Sequence, residues 1–489
     1  MMGFALAFHQ ENIIAMLVGT TVGYFVGAMP GITPAIGIAL MIPFTFTMNP
    51  VPSFIMLLTL YKAAEYGGGI TAILVNTPGN AAAAATALDG YPLTQQGKGA
   101  TALGMSIISS SVGAFISTVL MIAFTLPLAA FALRFGAPET FFLALLGLSV
   151  VSGLSSENLI KGLLMVTLGL LITTIGLDPV DGAQRYVFSF HFMEGIPFVA
   201  AMVGLFAVSE VFILISQKDD KNKKTIGQLE GKLPNKAEIM SCMPTMLRGS
   251  LIGFGIGVIP AAGPTVASWF SYSVGKNTSK NPEMFGKGAL DGVAASESAN
   301  SASVPGCMVP TLTLGIPGSP ATAVLIGALM LHGLQPGPLL FTRNPEVPYS
   351  LFAASLISVP VMLAMGIFGA NLFSKVVLIP KSVLSTLIVC TCVLGAYALV
   401  NSMFGVWIAF GFGILGYILR KLNFPIAPLV LALVLGRMAE RNYRLALLMG
   451  QGSHTIFLNR PLSLVIGMLA LAMFAYPYIQ SALKKRKLA

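Results

Sequence analysis

Charge is scarce in this sequence. Asp, Glu, Lys and Arg make up 9% of its 489 residues, against about 25% in a soluble globular domain. The few charges are also unevenly spread: none occurs in residues 12–61, 99–133, 298–342 or 382–419. A bilayer-spanning helix needs about 20 apolar residues. These runs therefore exclude a soluble domain. By that length rule they predict an all-α polytopic integral membrane protein with about 12 spans plus broken or re-entrant helices. Alternation with period 2 is missing as well, which excludes a β-barrel.

Other absences narrow the chemistry. The chain has four histidines, and no His-Glu-x-x-His pattern, Cys-x-x-Cys pair or P-loop occurs. Zinc hydrolysis, thiol redox chemistry and ATP hydrolysis thus lack their usual motifs, and no enzyme is indicated. No cofactor is expected. Cys242, Cys307, Cys390 and Cys392 have neither metal-ligand spacing nor evident pairing, and all four are expected as buried small residues. No basic stretch precedes the first apolar run, so that run is expected to stay as a span and not to be cleaved.

The charge that is present marks topology. The net charge is +10. Six lysines crowd residues 217–236, in a loop expected over 217–242, and Lys484, Lys485, Arg486 and Lys487 crowd the tail 484–489. The positive-inside rule puts both in the cytoplasm of a multi-pass membrane protein. The first ten residues carry no Lys or Arg, so the N-terminus is expected outside. No nucleic-acid partner is needed to explain the lysines.

Glycine (52) and proline (30) are abundant, and in membranes they mark close helix packing and broken helices. They also reveal an internal repeat. Gly19, Gly23, Gly27, Pro30 and Pro34 recur 230 positions later as Gly249, Gly253, Gly257, Pro260 and Pro264. Glycines four apart let helices approach closely, and Pro30-Gly31 and Pro260-Ala261 are expected to end those helices. Downstream, Glu65 aligns with Glu297, and "NTPGN" (76–80) faces "GIPGS" (315–319). This gives repeat 1 over 13–133, connecting spans over 134–216 (near 139–154, 160–177 and 195–216), and repeat 2 over 243–373. Further spans fill 374–483. Hydropathy alone leaves open whether the copies are parallel or inverted.

Each Pro-Gly step interrupts an apolar helix. The residue before proline avoids the helical region, so the incoming helices are expected to end near Asn76-Thr77 and Gly315-Ile316. Gly79 and Gly318, after Pro78 and Pro317, are expected to allow the sharp turn. Asn80 and Ser319 then serve as N-caps, and Pro320 suits the first helical position. Two open helix N-termini inside an apolar region attract anions, and the free carbonyls of the incoming halves can hold a cation such as Na⁺. The candidate substrate site is therefore Asn76, Thr77, Pro78, Gly79, Asn80, Pro317, Gly318 and Ser319, with Asn300 and Ser301 nearby. A polar pore is the alternative reading of the same features.

Ionisable residues at membrane depth are functional candidates. Lys62 and Glu65 are three apart, a spacing at which they pair along one helix. Glu297, in "ESANSA", is either an ion-coupling carboxylate for Na⁺ or H⁺ or a loop residue at the membrane edge. His332 is expected at a helix end.

The stretches "GAMPGITPAIGIALMIPFTF", "YGGGITAILVNTPGNAAAAATALDGYPLTQQGKGATALG" and "VPTLTLGIPGSPATAVLIGALMLHGLQPGPLLF" resemble the large membrane subunit of the tripartite tricarboxylate transporters, the TctA family. The likeness runs from about residue 11 to about residue 450. It implies a permease for citrate-like carboxylates in a bacterial inner membrane. It implies two partners, a small TctB-like membrane subunit and a periplasmic TctC-like solute-binding protein. It further implies secondary active symport with Na⁺ or H⁺, inverted repeats and an elevator-like movement. The sequence departs from the family pattern at Asn80, where many relatives carry Glu, at Lys62 and Glu65, where they often lack a charge, and at Glu297–Ala302. These departures bear on the substrate and leave the fold alone.

Overall fold

The computed structural model describes residues 2–154, 159–178, 181–216, 231–260, 262–375 and 379–488. Nearly all of them are helical. The first group comprises α1 (Gln10–Ala28), α2 (Pro34–Thr45), α3 (Pro50–Val75), α4 (Ala83–Gln95) and α5 (Gly99–Ala132). A middle group follows, with α6 (Ala137–Leu154), α7 (Leu159–Thr173) and α8 (Phe198–Ser216). A small antiparallel hairpin, β1 (Gly176–Leu177) and β2 (Gln184–Arg185), lies between α7 and α8 and has no counterpart in the sequence reading. Next come α9 (Lys236–Val258), α10 (Gly263–Thr278), α11 (Leu290–Leu314), α12 (Pro320–Leu331) and α13 (Glu346–Ser374). The last four are α14 (Lys381–Val400), α15 (Met403–Lys421), α16 (Ile426–Met449) and α17 (Pro461–Leu488).

Six helices among the described residues are long and apolar enough to cross a membrane, and α2, α6, α7, α12, α14 and α17 contain shorter apolar stretches. Large apolar side chains such as Phe368, Leu394 and Leu471 stand exposed on the outside. In water such a surface would drive association; in a bilayer it meets lipid. The chain is a multi-pass membrane protein. Cys390 also faces outward, contrary to the expectation of four buried cysteines, while Cys242, Cys307 and Cys392 are buried.

Two sequence boundaries shift. Residues 217–230 of the expected basic loop lie outside the described residues. The remainder is shorter than expected, because Asn235 and Glu238 form a capping box that starts α9 at Lys236. The expected tail continues α17 as far as Leu488.

The glycine ladders bring helices together. On α1, Gly19, Gly23 and Gly27 lie against the main chain of α3 at Met56, Leu60 and Ala64. A Cβ on Gly23 would sit 2.5 Å from the Leu60 oxygen. On α9, Gly249, Gly253 and Gly257 meet α11 at Ser298, Ala299 and Ser303. In both pairs the contact numbers rise together, so the paired helices run parallel. The contacts between α3 and α11 run the other way, Glu65 to Asn300 and Gly69 to Glu297, so these two helices cross antiparallel. The fifth helix of each group packs on the central helix of the other. On α5, Ser117 donates to the Ala302 carbonyl of α11; on α3, Lys62 donates to the Ser355 carbonyl of α13.

The packing changes one register. Gly27 backs onto Gly67, and Gly257 onto Gly306, at matching distances. From these glycines to Pro78 and Pro317 the chain counts eleven residues in each case. The α11 position that matches Glu65 is therefore Val304, and Glu297 lies two helical turns before it. Matching Glu65 to Glu297 would put seven extra residues between the glutamate and the Pro-Gly step (20 positions from Glu297 to Pro317 against 13 from Glu65 to Pro78); the packing puts the insertion ahead of α11 instead.

Candidate functional site

Each interruption begins with a left-handed residue. α3 stops at Val75 with Asn76 at φ 54°, and α11 stops at Leu314 with Gly315 at φ 68°. The turn thus falls on Asn76 and Gly315, and not on Gly79 and Gly318 as the sequence suggested. Those two glycines are needed for close approach. The Gly79 N–H donates to the Gly68 carbonyl at 3.2 Å. A Cβ on Gly79 would fall on the Gly27 carbonyl oxygen, with the Gly68 Cα 2.8 Å away. A Cβ on Gly318 would lie 2.8 Å from the Cys307 Cα. After Asn76 the chain thus folds back along α3 before α4 begins.

Ser319 is the N-cap of α12 as its residue type predicts, whereas the N-cap position of α4 is Ala82 and not Asn80, which lies two residues earlier and reaches the first helical N–H with its side chain. The Ala83 N–H donates to Asn80 Oδ1 at 2.9 Å. Ser319 and Thr322 make a reciprocal capping box, with the Thr322 N–H donating to Ser319 Oγ at 3.2 Å. Both side chains are buried, Asn80 at 8% exposure and Ser319 at 1%. The carbonyls of the incoming halves are less free than expected. Those of Thr71 and Pro310 accept from the turn itself, Ile73 accepts from Thr94 Oγ1, and Leu312 accepts from the Gly337 N–H.

One stripe of α3 gathers the site. Tyr61, Glu65 and Gly69 are four apart and share a helix face. The Tyr61 hydroxyl lies 2.8 Å from Ser319 Oγ. The Glu65 carbonyl accepts from Asn80 Nδ2 and Asn300 Nδ2, each at 3.1 Å, and Asn80 Nδ2 is also 3.1 Å from Glu65 Oε2. At Gly69 the missing side chain makes room for Glu297, whose Oε1 would lie 2.7 Å from a Cβ there. Glu297 accepts from Thr86 Oγ1 at 2.6 Å and from Ser110 Oγ at 2.9 Å. It is wholly buried in mid-helix, so the reading of a loop residue at the membrane edge is excluded.

Asn80, Asn300, Glu65 and Glu297 are thus neighbours, and Ser319 joins them through Tyr61. Pro317 and Gly318 are buried beside Ser319, and Ser301 lies next to Asn300. Asn300 Oδ1 and Ser301 Oγ are buried without a hydrogen-bond partner among the described residues. Pro305 cannot supply the N–H that would close on the Ser301 carbonyl. Asn76 and Thr77 are exposed and stand apart, with Pro78 half-buried between. Of the preceding turns, the second comes close to the site, while Gly31 in the first faces Glu210. Gly31 is left-handed at φ 90°, α2 begins at Pro34, and Gly263, just after Pro260 and before Pro264, would place a Cβ 3.3 Å from that of Ser319.

Lys62 does not pair with Glu65. It points to the other side of α3 and donates to the Ser355 carbonyl at 2.6 Å and Ser358 Oγ at 2.9 Å. His332 caps the end of α12, edge-on to Phe54, in the helix-end position expected. Sequence reasoning missed Tyr61, Gly69, Thr86 and Ser110, which reach the site through contacts between distant segments. It also missed Asp89 on α4. Asp89 Oδ1 accepts from the N–H groups of Gly286, Gly288 and Ala289 at 2.8–2.9 Å, and Oδ2 from Tyr272. An acid within an apolar helix was a signal in plain view.

Comparison with known proteins places the chain in a family. The family model described as the tripartite tricarboxylate transporter TctA family matches residues 13–431, which include both interruptions. The chain belongs to the TctA family. It is 36% identical over 484 residues to an uncharacterized 52.8 kDa protein in the TAR-I ttuC' 3' region of Agrobacterium vitis, covering 98% of this chain and 96% of the relative. A second protein, from the TAR-II ttuC' 3' region of the same organism, is 37% identical over 229 residues, or 46% of this chain and 95% of the relative. No solved structure matches. TctA membership makes the chain a subunit of a tricarboxylate transporter and implies a tripartite system with TctB and TctC partners.

Proposed function

We propose that this chain is the permease of a binding-protein-dependent secondary transporter that takes up citrate-like di- and tricarboxylates by symport with Na⁺ or H⁺. The observation that carries this reading is the stripe Tyr61, Glu65 and Gly69, which links two buried helix N-termini to two buried carboxyl groups. A helix N-terminus favours an anion. A carboxyl group inside a membrane protein takes a cation or a proton. Neighbouring sites for both give each an influence on the other's affinity. The substrate carboxylates meet Gly79-Asn80 and Gly318-Ser319, Asn300 and Ser301 offer free acceptors, and Glu297, with Glu65, takes the coupling ion.

The antiparallel crossing of α3 and α11, with α1 and α9 parallel to each, supports inverted repeats, the architecture of many secondary transporters. An elevator-like movement of this core against α6–α8 and α14–α17 then carries the site across the bacterial inner membrane. Lys98 lies beside Gly231 and Lys161 beside Leu422. This supports a cytoplasmic face for the loop 217–242 and the C-terminus. The periplasmic TctC-like protein delivers substrate at the opposite face, and the TctB-like subunit accompanies the permease.

Removing the caps tests the site. Loss of an N-cap costs about 0.5–2 kcal/mol, so Asn80→Ala or Ser319→Ala should raise the half-saturating substrate concentration by roughly 2–30-fold. Asn80→Ser and Ser319→Thr, which keep a capping oxygen, should return it toward the wild-type value. Unchanged half-saturation in both alanine variants, measured in uptake assays with the partners present, would remove the helix breaks from the substrate site.

A further inference from the structure

The geometry points to a second carboxylate site, an arginine-walled vestibule at the far end of the molecule from Lys232. The inference rests on the carboxylate-transport reading and adds a place where substrate is received before it reaches the helix breaks. A cavity of about 610 Å³ opens there, within the roughly 300–1,000 Å³ usual for small-molecule sites. Its walls include Arg185 of β2, Arg437 and Arg441 of α16, and Gln335; Leu314 and Gly315, at the end of α11, reach it as well. Ala132, the last residue of α5, also lines it. Near the other end of α5, Thr101 is bonded to the Lys232 carbonyl. The 34 residues of α5 span about 51 Å, so cavity and basic loop lie at opposite ends.

Two guanidinium groups there make no ion pair among the described residues, although Glu440, which also lines the cavity, acts on Arg437 through its charge. Arg185 is held by Glu440 and Asp178, and Arg444 by Asp178 and Asp181. Arg437 makes one long hydrogen bond, to the Glu194 carbonyl at 3.4 Å. Neither Arg437 nor Arg441 is in an ion pair with a described carboxylate. They are four apart on α16, a spacing at which like charges repel, and both are exposed where they border the cavity. An anion between them relieves that repulsion.

The residue type narrows the anion. The segments 133–139, 174–178, 181–197, 335–349 and 437–461, each of which contributes to the cavity wall, contain seven arginines and no lysine. Net charge would be served equally by lysine. A planar fork that binds carboxylate in two places is particular to arginine. Topology offers no reason for them either, since positive charge is disfavoured on the face opposite the basic loop. A small di- or tricarboxylate fits the spacing of two guanidiniums, the cavity volume and the neutral donors of Gln335. From there Gly315 leads to the second helix break, while Ser319 beyond it remains buried.

The test is site-specific protection in the full chain, in membranes with its partners. Asn442, which lines the cavity, is replaced by Cys, and its alkylation by a membrane-impermeant maleimide is followed by peptide mass spectrometry. The probes are citrate, malate and succinate, with acetate as control. At least one of the three should slow alkylation, roughly tenfold at ten times its Kd, and acetate should not. Arg437→Gln with Arg441→Gln should abolish the protection, and the Lys pair should restore part of it. Failure of all three probes to protect, or protection that survives the Gln pair, overturns the vestibule. Should the Gln pair not reach the membrane, protection of Asn442→Cys itself decides. Uptake by the same cells separates the two readings. Accumulation without protection removes the vestibule alone, and protection without accumulation keeps the vestibule and removes the transport reading.

Discussion

Replacing Glu297 by Gln will abolish gradient-driven accumulation while leaving the chain folded. Glu297 is buried and its two oxygens accept from Thr86 and Ser110. A hydroxyl can donate or accept, so these partners can rotate to satisfy an amide of the same shape. What disappears is the capacity to hold a proton or balance a cation. Once binding of the ion no longer influences binding of the substrate, nothing holds substrate above its external concentration, so the inside and outside concentrations should become equal. Exchange of substrate down its own gradient should persist, which distinguishes lost coupling from lost folding. An unaltered accumulation ratio in Glu297→Gln would exclude this carboxylate from ion coupling. Gly69→Ala provides a cross-check from the other side of the contact, because its methyl would press on Glu297 Oε1.

The second large effect is expected at Gly79. Its backbone is not left-handed, so alanine there is locally permitted. The conflict is with α1 and α3, where the new methyl would meet the Gly27 carbonyl and the Gly68 Cα. Both are main-chain atoms and cannot swing aside. Overpacking of this kind costs about 1–3 kcal/mol. Gly79→Ala should therefore lower the thermal midpoint of the purified protein and also eliminate uptake, since the fold-back that delivers Asn80 to Glu65 cannot close. Gly411→Ala is the control, because a Cβ there meets nothing within 4 Å. A Gly79→Ala protein as stable and active as Gly411→Ala would mean that the close approach of the first break to α1 is dispensable.

What could be read in the sequence followed local rules. Proline constrains the residue before it, small polar residues cap helices, and glycines four apart make a flat face, so the two interruptions, Asn80, Ser319 and the ladders were all legible. The turn residue was misplaced within the same motif, because Asn76 and Gly315, three positions before Gly79 and Gly318, can themselves adopt the left-handed conformation. The alignment of Glu65 with Glu297 failed for a different reason. A match between identical letters shifted the second half by two turns, and only the packing of Gly67 and Gly306 reveals the true pairing. Ser110 and the partners of Lys62 come from exchanged packing of α5 and α13 between the two groups, and Tyr61 and Thr86 from contacts of α3 and α4 with the second break and α11, none of which a single segment encodes. The vestibule is likewise assembled from segments more than 250 residues apart, Arg185 and Arg441 among them, so no local motif marks its arginines.

The most direct test is uptake of labelled citrate, malate and succinate by cells expressing this chain with its TctB-like and TctC-like partners, with Na⁺ and proton gradients collapsed separately. Accumulation above the external concentration that vanishes with one gradient is the predicted result, and it names the ion. Flux that merely equilibrates and ignores both gradients would contradict a coupled carrier and make the paired helix breaks the lining of a passive pore.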